Sequence, residues 1–175
     1  MKHASYILRL TLTLLLITAV VAGLLGLVNA LTEDAIAAHT REKAEKAMQE
    51  VLPADSYEPI PAERDGIAAA YRAADQGYVV RVSTNGFGGT IDMMVGVGID
   101  GRVTGVSIIS HSETASLGAN CTRDDFRAQF AGKTGGLSVS KDGGEIEALT
   151  GATVTSRAVT EGVNLALSFV EEVQP

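Results

Sequence analysis

The sequence predicts an α+β domain with a mainly antiparallel sheet and a C-terminal helix, set behind a single N-terminal transmembrane helix. Three observations carry this prediction. Residues 10–31 contain no charged side chain. Between residues 67 and 110, apolar residues alternate with others in short runs separated by turn signals, among them Asp100-Gly101. From Val154 onward, Val159, Val163, Ala166, Val170 and Val173 recur at helical spacing.

The N-terminal run, as a helix, would be about 33 Å long, against a hydrocarbon core of about 30 Å. Lys2 and Arg9 precede it, and Glu33 and Asp34 follow. The positive-inside rule therefore keeps residues 1–9 in the cytoplasm, passes residues 10–31 once through the cell membrane among its lipids, and leaves the rest extracytoplasmic. A cleavable signal peptide ending at Val28-Asn29-Ala30 competes with this reading. The run exceeds the usual apolar region of about 7 to 15 residues, which favours a retained anchor. Residues 32–66 read as an extracytoplasmic helix and linker. Thr32 can cap the helix, and Ile36, Ala37, Ala44, Ala47, Met48 and Val51 form its apolar stripe. Pro53, Pro59 and Pro61 then mark an extended linker.

The domain proper covers residues 67–175. Strands are predicted at 67–73 and 78–83, with a turn around Asp75 and Gly77. Asn85-Gly86-Phe87-Gly88-Gly89 is either a plain turn or a loop that lets a ligand or a partner backbone approach closely. Ile91, Met93, Val95, Val97 and Ile99 alternate strictly, so one face of that strand should be buried. Asp100-Gly101 turns the chain into a return strand over 102–110. Residues 122–131 read as a short helix with Thr122 and Asp125 as a capping box, and residues 137–140 as a short strand within a glycine-rich stretch.

Composition narrows the function classes. Once the anchor is set aside, the 175 residues suffice for one domain with its own core. A net charge of −7 with no basic patch argues against nucleic acid. Cys121 is the single cysteine, so an intrachain disulfide and a cysteine-ligated iron-sulfur cluster are both excluded within this chain. A lone cysteine most often serves as a small buried apolar side chain. His3, His39 and His111 show no metal-ligand spacing, and no metal site is predicted. The dinucleotide-binding fingerprint is missing, since Gly86-x-Gly88 lacks its remaining glycine and context.

The segment Glu147-Ala148-Leu149-Thr150-Gly151-Ala152-Thr153 is the most informative one. It sets a hydroxyl among small residues just before the last helix. Amides at a helix N-terminus are unpaired and carry partial positive charge, which suits a phosphate. Thr150, Thr155 and Ser156 could add hydroxyl donors. These hydroxyls could equally do no more than cap the helix.

This stretch resembles the flavinylation motif, Asp-x-x-(Ser/Thr)-Gly-Ala-Thr, of bacterial FMN-binding domains. The resemblance implies that a flavin transferase joins FMN through its phosphate to Thr153 as a phosphoester, with Thr150, Gly151 and Ala152 matching the motif. Glu147 stands where the family usually has Asp, as the acidic residue the transferase recognises. A second segment, His111-Ser112-Glu113-Thr114-Ala115-Ser116-Leu117-Gly118, is similar to the His-x-Glu-Thr-Pro-Gly-Leu-Gly signature of the RnfG subunits of the Rnf complex, an ion-translocating ferredoxin:NAD oxidoreductase. Ala115 and Ser116 replace the Pro-Gly pair. By this resemblance Glu113, Thr114, Leu117 and Gly118 contact the flavin, and the partners are the other membrane and redox subunits of the complex. The chain would be an electron-transfer subunit of a translocase with no catalytic residue of its own for the overall reaction. Two alternatives remain: a component like the NqrC subunit of the sodium-translocating NADH:quinone oxidoreductase, and a membrane-anchored binding or scaffold module whose threonine is never modified.

Overall fold

A computed structural model describes residues 2–174, with the side chains of residues 2–5 and of Ala37 outside the described set. The expected place of Ala37 on an apolar stripe therefore lies outside the described residues. The chain forms two compact units, Met1–Arg41 and Glu42–Pro175.

Helix α1 runs over Lys2–Val51, where the sequence suggested a span followed by a separately capped helix. No glycine or proline interrupts residues 28–51, so nothing ends the first helix there. Thr32 consequently lies inside a helix and caps nothing. Its hydroxyl bonds back to the Val28 carbonyl at 2.9 Å, as a mid-helix threonine does. In the first unit the apolar side chains of this helix are exposed along its length, from Leu8 and Leu10 to Leu31. The helix is long and apolar enough to cross a membrane.

The second unit is built on one five-stranded antiparallel sheet, β1 Glu58–Ile60, β2 Ile67–Ala73, β3 Gly77–Asn85, β4 Thr90–Gly98 and β5 Val103–His111, in sequential order. Strand β1 falls in the proline-rich segment expected to be a linker. It pairs with β2 at the sheet edge, where Pro59 faces Tyr71. An edge strand needs hydrogen bonds on one side only, so proline is tolerated there. The other strands lie within two residues of their expected bounds. The Asp100-Gly101 turn forms, with Gly101 at φ +71° donating its N–H to the Gly98 carbonyl at 2.9 Å.

Helix α3, Thr153–Val173, covers one face of the sheet. Val159, Val163, Ala166 and Val170 are buried there with Val80, Val82, Met93 and Val95. The end of α1 covers the other face, with Ala47, Met48 and Val51 against Val79, Met94 and Ile109. Strand β4 is therefore buried on both faces, not on one. Its strict alternation concealed this, because Met94 and Gly96 fill the second face beneath α1.

Gly96 and Gly105 pair across β4 and β5 and let Val51 sit close to the sheet. A Cβ at Gly96 would stand 2.6 Å from the Val51 carbonyl oxygen, which also accepts the Thr104 hydroxyl at 2.6 Å. Gly96→Ala is expected to destabilise the second unit by about 1–3 kcal/mol, the usual scale of overpacking. Gly105→Ala should cost less, since its Cβ would meet Val51 Cα at 3.1 Å. Urea titration of the two variants beside the wild type checks the order.

Two local expectations are corrected. Residues 122–131 are not one helix. A 3₁₀ turn, Gly118–Thr122, leads into the short α2, Asp124–Arg127, and a second 3₁₀ turn, Ala128–Phe130. Arg123 takes the cap position without a side-chain cap bond, while the Thr122 hydroxyl bonds back to Ala119 O at 3.0 Å. Thr122 is already the last residue of the preceding turn, so it cannot also cap the next. Residues 137–140 contribute only the isolated parallel bridge Val139↔Ile146. The 3₁₀ turn Ser140–Asp142 and Gly143 at φ +83° reverse the chain before a strand can extend.

Candidate functional site

Three segments far apart in sequence meet at one end of the sheet. The Gly86–Gly89 loop joins β3 to β4, the His111–Gly118 segment leaves β5, and residues 150–155 enter α3. They enclose a cavity of about 390 Å³ lined by Phe87, Glu113, Thr114, Leu117, Gly118 and residues 151–155. That volume lies within the range of small-molecule sites, about 300–1,000 Å³.

Glu113 holds the three segments together. The residue is 9% exposed, and its carboxyl group accepts the Gly88 N–H at 3.0 Å on one oxygen and the buried Thr155 hydroxyl at 2.7 Å on the other. Its own N–H donates to His111 Nδ1 at 3.3 Å. Glycine is required at the close approaches. A Cβ at Gly86 would lie 2.0 Å from Glu113 Oε1, and one at Gly118 would lie 2.3 Å from Oε2. The glycine-rich loop is thus more than a plain turn: it is where the Glu113 carboxyl group approaches the backbone closely.

Ala152 occupies the N-cap position of α3, and no side chain caps the helix. The reading in which the hydroxyls serve as a cap is therefore not what the structure has. The Ser156 hydroxyl is buried and committed to the loop, donating to Ala152 O at 3.0 Å and accepting Leu149 N–H at 2.9 Å. The Thr155 hydroxyl is committed to Glu113. Thr153 is half-buried at the first turn, and the leading amides of the helix have no carbonyl one turn earlier to bond. Gly151, at φ +75°, turns the chain into the helix, and a side chain there would press on Leu117.

Thr150 and Glu147 are exposed and line an adjoining groove with Ser116, Arg123 and Gln129, separated from the cavity by Leu117, which lines both. The backbone of Glu147 is clamped by Gln129, whose Oε1 accepts Glu147 N–H at 2.7 Å. Of the residues singled out in the sequence, Thr153, Gly151, Ala152, Thr155, Glu113, Thr114, Leu117 and Gly118 line the cavity. Thr150, Ser156 and Glu147 lie beside it.

Three contributors were not among the candidate site residues, although Phe87 belongs to the loop at which the sequence allowed a ligand to approach. Phe87 and Val154 line the cavity with their side chains exposed, and Lys141 donates to Thr153 Oγ1 at 2.8 Å. An aromatic residue embedded in a glycine-rich loop was a usable signal for Phe87. No spacing rule links Lys141 to Thr153.

The cavity suits a ligand with a flat apolar ring and an anionic tail. Phe87, Leu117 and Val154 offer apolar surface, while the uncapped amides of α3 and the Lys141 ammonium, 2.8 Å from Thr153 Oγ1, suit a negative group there. Among the described residues no cluster of potential metal ligands is found.

Cys121 lies just behind this wall and is fully buried. Burial pushes its thiol up to about 11, and repulsion from Glu113 adds to the effect. Alkylation of the native chain by iodoacetamide at pH 8 is expected to run at least roughly a hundredfold slower than that of the unfolded chain. Equal rates would show that the wall behind Glu113 is open.

Comparison with known proteins places these features. Residues 86–168 match the FMN-binding domain family, and residues 1–51 match the RnfG N-terminal region. The chain is 37% identical over 162 residues to the G subunit of the proton-translocating ferredoxin:NAD(+) oxidoreductase complex of Clostridium ljungdahlii, covering 89% of this chain and 88% of the relative. It is 32% identical over 183 aligned residues to the G subunit of the ion-translocating oxidoreductase complex of Methanosarcina acetivorans, covering 97% of each. Among solved structures it is similar to the C subunit of the Na(+)-translocating NADH-quinone reductase of Parabacteroides distasonis, with a TM-score of 0.52 and 20% identity over 73% of this chain and 80% of that one. That likeness speaks for the fold alone.

Proposed function

The chain belongs to the RnfG family, the G subunits of ion-translocating, Rnf-type oxidoreductase complexes, and we propose that within such a complex it is the membrane-anchored flavoprotein that carries FMN as a phosphoester on Thr153. The observation that carries the reading is the setting of Thr153: a hydroxyl at the uncapped start of α3, at the mouth of an apolar cavity, with an ammonium group at 2.8 Å. A flavin transferase installs the cofactor. The anchor lies in the lipid with its N-terminus cytoplasmic, following Lys2 and Arg9, and the FMN domain is extracytoplasmic. Outside the cytoplasm free FMN is scarce, and a reversibly bound cofactor would be lost by mass action. A covalent bond removes that loss.

When bound, FMN supplies the electron chemistry, and the residues of this chain hold and shield it. Phe87, Leu117 and Val154 take the apolar ring and exclude water from it. The first-turn amides of α3 face the phosphate. Glu113, through Thr155 and Gly88, keeps the walls at fixed separation, so that the ring meets one geometry in every turnover. Electrons arrive from, and leave to, the other redox subunits of the complex. The kinship to the G subunits over nearly the full chain favours this reading over an NqrC-like component, with which the chain shares its fold.

The test is the intact mass and in-gel flavin fluorescence of the denatured full chain, coexpressed with an active flavin transferase. A mass increase of one FMN less water, with fluorescence that survives denaturation, is expected. An unmodified chain beside a modified control protein would favour a scaffold module instead.

A further inference from the structure

We propose that Lys141 is the phosphate-holding residue of the Thr153 linkage, stabilising its charge both while the bond forms and after it has formed. This rests on Thr153 being the attachment residue.

The geometry is specific. Lys141 Nζ donates to Thr153 Oγ1 at 2.8 Å across twelve positions of sequence. Lys141 is exposed, and an exposed lysine held against a neutral hydroxyl gives up rotamer freedom for one weak bond. The turn that carries it, Ser140–Asp142, is pinned from two sides. At its base, Ser140 N–H donates to Ile146 O at 2.7 Å and Gly144 N–H to Val139 O at 3.0 Å. At its tip, Asp142 accepts two bonds from Arg157, at 2.7 and 2.6 Å. That pairing holds the Asp142 carboxyl below the ordinary range. Arg157 stands about one helical turn after Thr153. The helix that presents the hydroxyl therefore also anchors the turn that presents the ammonium.

Neighbouring cations are already paired, Arg157 with Asp142 and Lys133 with Glu145. Among the described residues Lys141 makes no ion pair, and its one hydrogen bond goes to the attachment atom. The site is thus organised around a negative charge at Thr153 that the unmodified chain does not possess.

The attachment step supplies that charge. Thr153 Oγ1 forms a bond to the FMN phosphorus of a flavin dinucleotide, and the phosphoanhydride bond at that phosphorus breaks. The nucleoside monophosphate leaves with the bridging oxygen, the hydroxyl proton passes to a base of the transferase, and no centre changes oxidation state. Charge spreads over the phosphoryl oxygens in the transition state, where a fixed cation acts most strongly. The product diester keeps one negative charge beside Oγ1, within reach of the same ammonium.

The full-length wild type, Lys141→Met and Lys141→Arg are to be incubated in detergent with purified transferase and flavin adenine dinucleotide, and FMN incorporation followed by intact mass. Lys141→Met is expected to lower the saturating rate of incorporation about tenfold or more, the usual scale for a lost charged donor to a transition state. Lys141→Arg should recover most of the rate, and the melting temperatures of the unmodified chains should agree. Incorporation into Lys141→Met at the wild-type rate would overturn the proposal while leaving Thr153 as the attachment site. So would a change confined to KM, which would mark Lys141 as part of a docking surface. A wild type that takes up no flavin would overturn both readings.

Discussion

Thr153→Ala is expected to give a folded chain of unmodified mass, without flavin fluorescence after denaturation, and a complex through which electrons no longer pass. The expectation follows from the way the structure sorts the neighbouring hydroxyls. Four residues near the start of α3 carry one, and of these only Thr153 is on the cavity with no buried partner, its one bond coming from the exposed Lys141. Thr155 is given over to Glu113 and Ser156 to the loop backbone, while Thr150 opens on the adjoining groove. No neighbour can therefore substitute as the attachment point. Thr153 is half-buried, caps nothing and receives its bond from a surface lysine, so its loss should change stability by less than about 0.5 kcal/mol. Intact mass with and without the transferase decides the matter. A Thr153→Ala chain that still carries one FMN after denaturation would remove the assignment. A variant that fails to fold would be recognised by its melting curve, and Thr153→Val then offers a closer replacement in shape.

The second large effect is expected at Glu113. Glu113→Ala removes the acceptor of the Gly88 N–H and of the Thr155 hydroxyl; the buried hydroxyl is left unpaired, while the Gly88 N–H, on an exposed loop, turns to water. A buried donor left unpaired costs about 1–3 kcal/mol, so the variant should be destabilised by roughly that amount. Thr155→Val keeps the shape and removes one of the two bonds. The pair Glu113→Ala and Thr155→Val should be coupled by about 1–3 kcal/mol in a double-mutant cycle, measured by guanidinium titration of the full chain in detergent. Additive losses would mean that Glu113 and Thr155 act separately, and that the cavity walls are held by something else. Gly118→Ala belongs to the same set, because its methyl group would enter the space between Glu113 Oε2 and Thr155 Oγ1.

Much of this molecule was legible in the residues themselves. The uncharged N-terminal run is legible without any partner, since length and hydropathy alone make it a helix able to cross a membrane. The antiparallel meander followed from alternation and from one Asp-Gly turn, because hairpins are made by neighbours in sequence. Thr153 stood out because its small neighbours and the helix that follows are local features. What stayed hidden were relations between distant segments. The carboxyl of Glu113 could have been ordinary loop polarity; only the register of β5 beside β4, and the rotation of α3 on the sheet, bring it to Thr155, forty-two positions away. The second buried face of β4 depended on the end of α1 returning to cover it. Lys141 lies in a stretch that reads as glycine-rich turn, and its approach to Thr153 depends on a fold-back pinned by Arg157. Periodicity records which face a residue turns to its own element. Which distant group meets it there is decided by how sheet and helices pack, and a buried carboxyl or a poised ammonium acquires its chemistry only from that packing.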